Sequence, residues 1–306
     1  MVAVPPLAPA APLPALLIEA FAERPLAGNG AAVVLLDRPA SDTWLQGVAT
    51  SLRQSETAFL LAGPGGAWGL RWFTPTCEVP LCGHATLAAL LALGHWGRLA
   101  PGQPTELWSR SGPLRVQLAS EGRGSLELPS APLQPASAAP ALQALLEARL
   151  AVPLEGYWTS ALGYHVALVA PEAPLERLTG LAAELRGEER QGLVVMQAAG
   201  AQGAAESVGD RPADYRLRFF APGLGIEEDP VTGSAHALVA PHWIERLGRP
   251  VVGWQCSTRP GGMLCAAASS GMIRLTGTGQ LLWNGSLQAQ SDALGASRWA
   301  ALWPGS

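Results

Sequence analysis

Residues 71–85 read RWFTPTCEVPLCGHA and residues 218–235 read RFFAPGLGIEEDPVTGSA, so one pattern occurs twice in this 306-residue chain. Both copies begin with Arg, an aromatic residue and Phe. Both continue with Glu-x-Pro, a branched apolar residue and x-Gly-x-Ala at identical spacing. Internal duplication explains such a match better than chance does. Because the copies lie about 150 residues apart, the sequence predicts two similar domains rather than a solenoid.

Each copy is predicted to run from a strand through a proline-containing loop into a helix that begins near a glycine. We therefore expect residues 71–93 and 218–246 to form equivalent strand–loop–helix units. The first amides of such a helix have no partner inside the helix and point outward at the positive end of its dipole. Two helix starts that face each other across a cleft can hold a small carboxylate.

Each helix start, taken alone, is equally compatible with an ordinary N-cap. The duplication favours a functional role, because different polar residues stand at equivalent places: His84 corresponds to Ser234, and Val79 corresponds to Asp229. A purely structural repeat has little reason to place His and Asp at such ends. The sequence therefore indicates a two-sided site whose halves do different chemistry.

Glu56 is a further candidate, upstream of the first copy. Ser41 is a predicted N-cap for a helix that ends near Arg53, and residues 57–61 form a predicted strand, so Glu56 falls at a helix–strand junction. An isolated Glu in such a place is usually solvated. Partial burial would raise its pKa toward neutrality, which suits a group that both takes and returns a proton.

The composition excludes several classes of function. All 20 basic residues are arginine, and the absence of lysine rules out a pyridoxal-phosphate Schiff base, a lysine aldolase and a P-loop NTPase. The net charge of −4, without a basic block, argues against nucleic-acid binding. Uninterrupted apolar runs fall far short of the roughly 20 residues of a membrane span. Neither Gly28-x-Gly30 nor Gly223-x-Gly225 completes a dinucleotide fingerprint, so no nicotinamide or flavin cofactor is expected.

The cysteines and the N-terminus indicate an intracellular protein. The four cysteines show neither a CxxC pair nor a zinc spacing, and we expect no metal site. The proline-rich residues 1–14 lack a basic region and break the apolar segment of a signal peptide. We expect residues 1–14 to form a disordered or extended tail and the protein to be cytoplasmic.

Four motifs together carry a resemblance to a known family. The chain resembles the PhzF family of phenazine-biosynthesis-like proteins, relatives of diaminopimelate epimerase, over roughly residues 16–300. The motifs are GNGAAVV at 28–34, SETAF at 55–59, FTP at 73–75 with EVPLCGHAT at 78–86, and EDPVTGSAH at 228–236.

The resemblance implies an α+β, diaminopimelate epimerase-like fold. Two pseudo-twofold-related domains would each wrap a curved, mostly antiparallel sheet around a central helix, with the active site in the cleft between them. The first domain is expected over 15–120 and the second over 121–282, and a C-terminal strand at about 283–300 would return to the first domain. Members of the family are often homodimers, so a homodimer is expected here.

The resemblance also implies the chemistry. Related racemases use one cysteine from each domain, but Cys82 corresponds here to Thr232, which argues against a two-cysteine mechanism. By resemblance, Glu56 is the catalytic residue. His84 and Asp229 would face each other from the two halves as further catalytic residues, and Gly83, Gly233 and Ser234 would bind the substrate carboxylate. The alternative is structural: His84 as a capping or core residue, and Asp229 and Ser234 as helix caps. Gln255 and Arg259 are supporting residues at best.

Two functions are weighed against each other. The first is a cofactor-independent isomerase or epimerase of a small carboxylated metabolite, similar to trans-2,3-dihydro-3-hydroxyanthranilate isomerase. The alternative is a non-enzymatic binding or interaction protein that keeps the cleft. A vestigial cleft is expected to lose at least one residue of the catalytic set, and all are present, which favours the enzyme. The expected partner is a small carboxylated metabolite, with neither nucleic acid nor membrane.

Overall fold

The two halves of the chain share a core in which four longer strands precede one central helix and three strands follow it. The computed structural model describes residues 11–120, 122–200, 205–269, 271–289 and 297–303. In the first half the strands are β1 Leu13–Ala20, β2 Asn29–Leu36, β3 Glu56–Ala62, β4 Trp68–Phe73, β5 Glu78–Val79, β6 Pro104–Ser109, β7 Gly112–Leu118 and β8 Arg123–Pro129, and the helices are α1 Asp42–Leu52 and α2 Gly83–His95. In the second half the strands are β9 Gln134–Pro135, β10 Leu154–Thr159, β11 His165–Val169, β12 Leu193–Ala198, β13 Ser207–Val208, β14 Arg211–Pro212, β15 Tyr215–Phe220, β16 Val251–Gln255, β17 Gly261–Ala267 and β18 Met272–Leu287, and the helices are α3 Pro140–Leu150, α4 Gly233–Leu247 and α5 Ser297–Ala300.

The first half is a ring of strands around α2. The strands follow the order β1-β2-β3-β4-β6-β7-β8-β18, and β18 pairs again with β1. Every residue of α2 from His84 to Leu93 is buried. A helix that is apolar on all sides is stable only when it is enclosed on all sides. The composition of α2 therefore accounts for its central place.

The second half repeats this arrangement around α4. Its sheet follows the order β18-β17-β16-β15-β12-β11-β10-β9, and α4 packs against β16, β17, β18 and β8. The parallel pairs β2–β3 and β4–β6 of the first half recur as β11–β12 and β15–β16. The predicted epimerase-like α+β fold with two related halves is confirmed. Within the described residues, no helix is long and apolar enough to cross a membrane.

Strands β8 and β18 each contact elements of both halves, so no single position in the chain separates one half from the other. Strand β18 pairs with β17 as far as Thr276 and with β1 from Gly279 onward. The return to the first half therefore begins earlier than the predicted 283–300, and residues 290–296 lie outside the described residues. The boundary expected at 120/121 falls just before β8, which pairs with β7 of the first half.

The expected tail at residues 1–14 is too long at its C-terminal end. Strand β1 already begins at Leu13, which pairs with Leu287 and is buried. This pairing joins the two ends of the chain, so the local proline-rich composition gives no sign of it. Residues 1–10 lie outside the described residues.

The repeated Arg and Glu form the same ion pair in both halves, with a buried arginine and a partly buried glutamate. Arg71 donates from Nε and Nη2 to Glu78 at 2.8 and 2.9 Å, and Arg218 donates from the same atoms to Glu228 at 2.7 and 2.6 Å. Each pair ties the strand before the loop to the residue that leads into the helix. The predicted equivalence of residues 71–93 and 218–246 is therefore borne out in topology and in side-chain contacts.

The starts of α2 and α4 meet at the junction of the halves. A Cβ atom added to Gly83 would lie 3.3 Å from the Cα of Gly233, and one added to Gly233 would lie 3.4 Å from the Cα of Gly83. Such distances are tighter than ordinary van der Waals contact. The two glycines thus let the helix starts approach, which brings the side chains that follow them into one place.

Candidate active site

Glu56 is placed by the turn that ends α1. Arg53 adopts a left-handed conformation with φ 55° and its N–H donates to the Ala49 carbonyl, which stops the helix. The chain then reverses, and Glu56 becomes the first residue of β3, paired with Ala31 of β2. Glu56 is 8% exposed. Glu56 therefore lies at a helix–strand junction, as expected. It is buried there, whereas an isolated Glu at such a junction is usually solvated.

His84, in the first turn of α2, is the partner of Glu56. Its Nε2 lies 3.0 Å from Oε2 of Glu56 and 3.1 Å from the hydroxyl of Ser55. Burial lowers the pKa of His84, but the charge of Glu56 and the hydrogen bonds of Cys82 and Glu56 raise it above its ordinary value. Since the buried Cys82 thiol stays protonated near neutral pH, we attribute the raised pKa to Glu56.

The pKa of Glu56 moves opposite to the sequence expectation. Burial raises it, but the positive charge of His84 and hydrogen bonds from His84, Ser55 and Cys82 outweigh burial, so the pKa lies below 4.5. The expected rise toward neutrality is therefore wrong, because burial here comes together with a cationic partner. At neutral pH the pair is a carboxylate facing an imidazolium.

Asp229 approaches the same place from the second half. The amide nitrogen of Asn29 donates to Oδ1 of Asp229 at 2.7 Å and to the Val231 carbonyl at 3.1 Å, and it lies 3.2 Å from Nδ1 of His84. The hydroxyl of Thr232 donates to Oδ2 of Asp229 at 2.6 Å. Burial raises the pKa of Asp229, against the opposing effects of His84 and of the Thr232 and Asn29 hydrogen bonds.

Gln255 holds the turn that carries Asp229. It is fully buried, accepts from the Thr232 amide at 2.8 Å and donates to the Asp229 carbonyl at 2.6 Å. Its place beneath the loop fits the supporting role expected for it. Arg259 lies farther out and pairs with the buried Glu19 of β1, so it links the halves at the edge of the site.

Cys82 lies beside His84, with its Sγ 3.6 Å from Nδ1. Burial raises the pKa of the Cys82 thiol, and the charge of Glu56 raises it further. This environment favours the neutral thiol, which is a poor base. The position equivalent to Cys82 in the second half is Thr232, as the repeat predicts.

Glu56, Cys82 and His84 offer ligand atoms that all lie within 4.8 Å of one another, a grouping that sequence spacing did not reveal. By residue type such a set suits zinc. However, Glu56 and His84 approach to 3.0 Å, closer than the roughly 3.3 Å between two ligands of one tetrahedral zinc ion. The contact is an ion pair, and among the described residues Oε2 of Glu56 has no hydrogen-bond partner.

The residues expected to bind a carboxylate lie at the helix junction. Gly83 and Gly233 are in contact there, and Ser234 is half-buried with its hydroxyl 3.3 Å from the hydroxyl of Tyr164. Thus the structure brings together all six residues predicted for the site, which are Glu56, Gly83, His84, Asp229, Gly233 and Ser234.

Three residues at the site were not identified as functional from sequence. Asn29 and Ser55 stand inside the quoted motifs, which is the one signal that could have found them. Tyr164 stands in no motif. One open surface cavity of about 590 Å³ lies beside α1 and is lined by none of the predicted site residues. The predicted site residues instead lie buried or half-buried at the junction of the two halves.

Comparison with known proteins points to one family. The family model of phenazine biosynthesis-like proteins, PhzC-PhzF, matches residues 18–282. An uncharacterized isomerase of Pseudomonas aeruginosa is 39% identical over 249 residues, which cover 81% of this chain and 88% of the relative. The human phenazine biosynthesis-like domain-containing protein is 33% identical over 293 residues, which cover 90% of this chain and 99% of the relative.

A solved structure gives the same result. The crystal structure of a phenazine biosynthesis PhzF family protein from Enterococcus faecalis superposes with a TM-score of 0.73. It is 28% identical in sequence, and the match covers 90% of this chain and 98% of that one. The match covers most of both chains, so the likeness extends over both halves of the fold.

Proposed function

This chain belongs to the phenazine biosynthesis-like protein family, and on that premise we propose that it is a cofactor-independent isomerase or epimerase of a small carboxylated amino or hydroxy acid. Glu56 is the single group that takes a proton from one carbon and returns it to another. An isomerase-type activity agrees with the name of the Pseudomonas aeruginosa relative. The substrate class and the single-glutamate mechanism rest on the geometry of the cleft.

The observation that carries this proposal is the asymmetry of the two halves. In the first half Glu56 faces His84 at 3.0 Å. The register of the strands identifies the residue that corresponds to Glu56. Arg71 of β4 lies opposite Phe59 of β3, and the equivalent Arg218 of β15 lies opposite Val195 of β12. Glu56 precedes Phe59 by three residues and Gly192 precedes Val195 by three, so Gly192 corresponds to Glu56.

The second half therefore lacks both groups that could act as a second base at equivalent places. Gly192 occupies the position that corresponds to Glu56, and Thr232 occupies the position that corresponds to Cys82. A glycine has no side chain, and a threonine hydroxyl is a poor proton acceptor near neutral pH. An enzyme with one base on one side of the substrate moves a proton along one face of the molecule.

The chemical step follows from the charge state of the pair. Ionised Glu56 removes a proton from carbon, and the imidazolium of His84 stabilises the negative charge that develops nearby. The electron pair of the broken C–H bond moves into the conjugated system of the substrate. Protonated Glu56 exchanges its acidic proton with water and then donates a proton to a second carbon, so one C–H bond breaks, one forms and no electrons are lost or gained.

The other site residues orient the substrate. The backbone amides at the starts of α2 and α4, with the hydroxyl of Ser234, hold the carboxylate. His84 and Asp229 contact its amino or hydroxyl group from opposite halves. Asn29 orients Asp229 by donating to its Oδ1.

The test is a search for turnover in deuterated water. The whole protein is incubated with trans-2,3-dihydro-3-hydroxyanthranilate and with a panel of small unsaturated amino and hydroxy acids, and proton NMR follows each compound. We expect at least one to isomerise with deuterium entering at carbon, unchanged by EDTA. If the cleft binds members of the panel and none exchanges a carbon-bound hydrogen, the enzyme assignment is wrong. The homodimer implied by the resemblance stays a prediction, which sedimentation velocity would measure.

A further inference from the structure

Tyr164 occupies the place in the second half that the Glu56 side chain occupies in the first. It immediately precedes β11, whose His165 amide donates to the Gly192 carbonyl at 2.8 Å. A Cβ atom added to Gly192 would lie 2.4 Å from a ring carbon of Tyr164. The tyrosine ring thus fills the space above the glycine that corresponds to Glu56.

The hydroxyl of Tyr164 completes the correspondence. It lies 3.3 Å from the hydroxyl of Ser234, and Ser234 corresponds to His84, since each follows the glycine that begins a helix. The carboxylate–imidazole pair of the first half is therefore matched by a phenol–hydroxyl pair in the second. Phe219 packs against the tyrosine ring with centroids 5.0 Å apart and fixes its direction.

The phenol–hydroxyl pair is suited to binding rather than to proton abstraction. Burial raises the pKa of Tyr164, the Ser234 hydrogen bond opposes this, and the nearby charge of Asp229 raises it further. The phenol therefore stays protonated at neutral pH. Two hydroxyl groups that face each other carry two O–H donors, and their mutual hydrogen bond uses one of them. The other remains available to an anionic ligand.

We propose that Tyr164 binds the substrate carboxylate together with Ser234 and so determines the preference of the cleft for acids over neutral amides. This inference rests on the proposed function, because it names the group that one side of that cleft recognises. Glu56 and His84 contact the reacting carbon from the first half, and Tyr164 and Ser234 hold the acid group from the second.

The test compares an acid with its isosteric amide. Anthranilate and anthranilamide differ only in the carboxylate, and calorimetry measures the binding of each to wild type, Tyr164→Phe and Tyr157→Phe. Tyr157 is a matched control, because its hydroxyl lies 2.7 Å from His165 and it packs in the separate core around α3. We expect Tyr164→Phe to weaken anthranilate binding by about 10- to 100-fold, the usual effect of losing a hydrogen bond to a charged group. Binding of anthranilamide should change less than threefold, and Tyr157→Phe should leave both unchanged.

The outcomes separate the inference from the function beneath it. If wild type prefers anthranilate and Tyr164→Phe keeps that preference, the assignment of Tyr164 is wrong while the carboxylate cleft stands. If wild type binds the amide as well as the acid, the proposal that this site recognises a carboxylate is wrong, and so is the role proposed for Tyr164. A kinetic readout agrees with the inference if Tyr164→Phe raises KM and leaves kcat within threefold. A purely structural loss would lower the melting temperature and weaken acid and amide alike, which would overturn the proposal.

Discussion

Nε2 of His84 lies 3.0 Å from Oε2 of Glu56, and both residues are less than a tenth exposed. The two side chains come from different elements, the start of α2 and the start of β3. Their contact exists because the ring of strands closes around α2. Each residue sets the protonation state of the other, so the pair, rather than either residue, is the unit that titrates.

The first prediction concerns pH. Because the pKa of Glu56 lies below 4.5 and that of His84 lies well above 6.5, kcat/KM should be level across neutral pH. It should fall on the acid side as Glu56 is protonated and on the alkaline side as His84 loses its proton. In Glu56→Gln the pKa of His84 should drop, since burial remains and the facing charge is gone. Imidazole NMR titration of wild type and variant measures this, and an unchanged His84 pKa would contradict the pairing.

The same two groups predict how stability depends on pH. The lowered pKa of Glu56 stabilises the fold above 4.5, and this contribution is lost as the pH falls through the folded-state pKa. The raised pKa of His84 stabilises the fold below 6.5, and this contribution is lost as the pH rises through its folded-state value. Urea unfolding should therefore show the largest contribution of the pair between about pH 4.5 and 6.5, and Glu56→Gln should remove it.

A second prediction concerns Asn29. Replacing it with Ala leaves the buried carboxylate of Asp229 with one hydrogen bond fewer and removes the donor to the Val231 carbonyl. We expect the free energy of unfolding to fall by about 1–3 kcal/mol and kcat to fall about 10- to 100-fold. Asn284→Ala is the control, because Asn284 also contacts a histidine, His95, but is exposed, and it should cost less than about 0.5 kcal/mol. Equal effects of the two variants on stability and on kcat would contradict a specific role for Asn29 in holding Asp229.

Sequence patterns predicted the elements and could not predict the contacts between them. The duplicated strings fixed the places of α2 and α4, because their spacing and apolar character are local properties. Asn29 and Asp229 are 200 residues apart, and their hydrogen bond depends on the whole sheet. The pKa of Glu56 was mispredicted for the same reason, since burial is visible as an apolar neighbourhood but the facing His84 is not. Tyr164 left no signal, because its role appears only when β11 is aligned with β2.

The third prediction concerns the duplicated ion pairs. Removing the glutamate should cost less stability in one pair than in the other. Removing Glu78 leaves Arg71 with Asp42 at 2.7 Å, whereas Glu228 supplies the carboxylate contacts of Arg218 among the described residues. Breaking a buried pair by deleting one partner typically costs about 3–5 kcal/mol. Glu228→Ala should therefore lose about that much stability and Glu78→Ala clearly less, as measured by urea unfolding. The reverse order would mean that Asp42 does not compensate.

The fourth prediction concerns the helix starts. A methyl group added to Gly83 would lie 3.1 Å from Leu128 and 3.3 Å from Gly233, so Gly83→Ala must push α2 and α4 apart. We expect a loss of about 1–3 kcal/mol from overpacking, together with weaker anthranilate binding. Gly47→Ala, in α1 with nothing within 4 Å of the added carbon, should instead stabilise by about 0.5–1 kcal/mol. Gly83→Ala behaving like Gly47→Ala would show that the close approach is not required.

The last prediction separates glutamate from cysteine chemistry. Glu56→Gln keeps the size of the side chain and removes the base, so the protein should fold, bind anthranilate and lose turnover. Loss of general base catalysis alone costs about 10²–10⁴-fold, and we expect the upper end because Gly192 and Thr232 offer no replacement. Cys82→Ser should stay within about threefold of wild type, since burial keeps that thiol neutral. Substrate-dependent exchange of a carbon-bound hydrogen with deuterated water measures all three proteins. Exchange that survives in Glu56→Gln and disappears in Cys82→Ser would assign the proton transfer to Cys82 and overturn the single-glutamate mechanism.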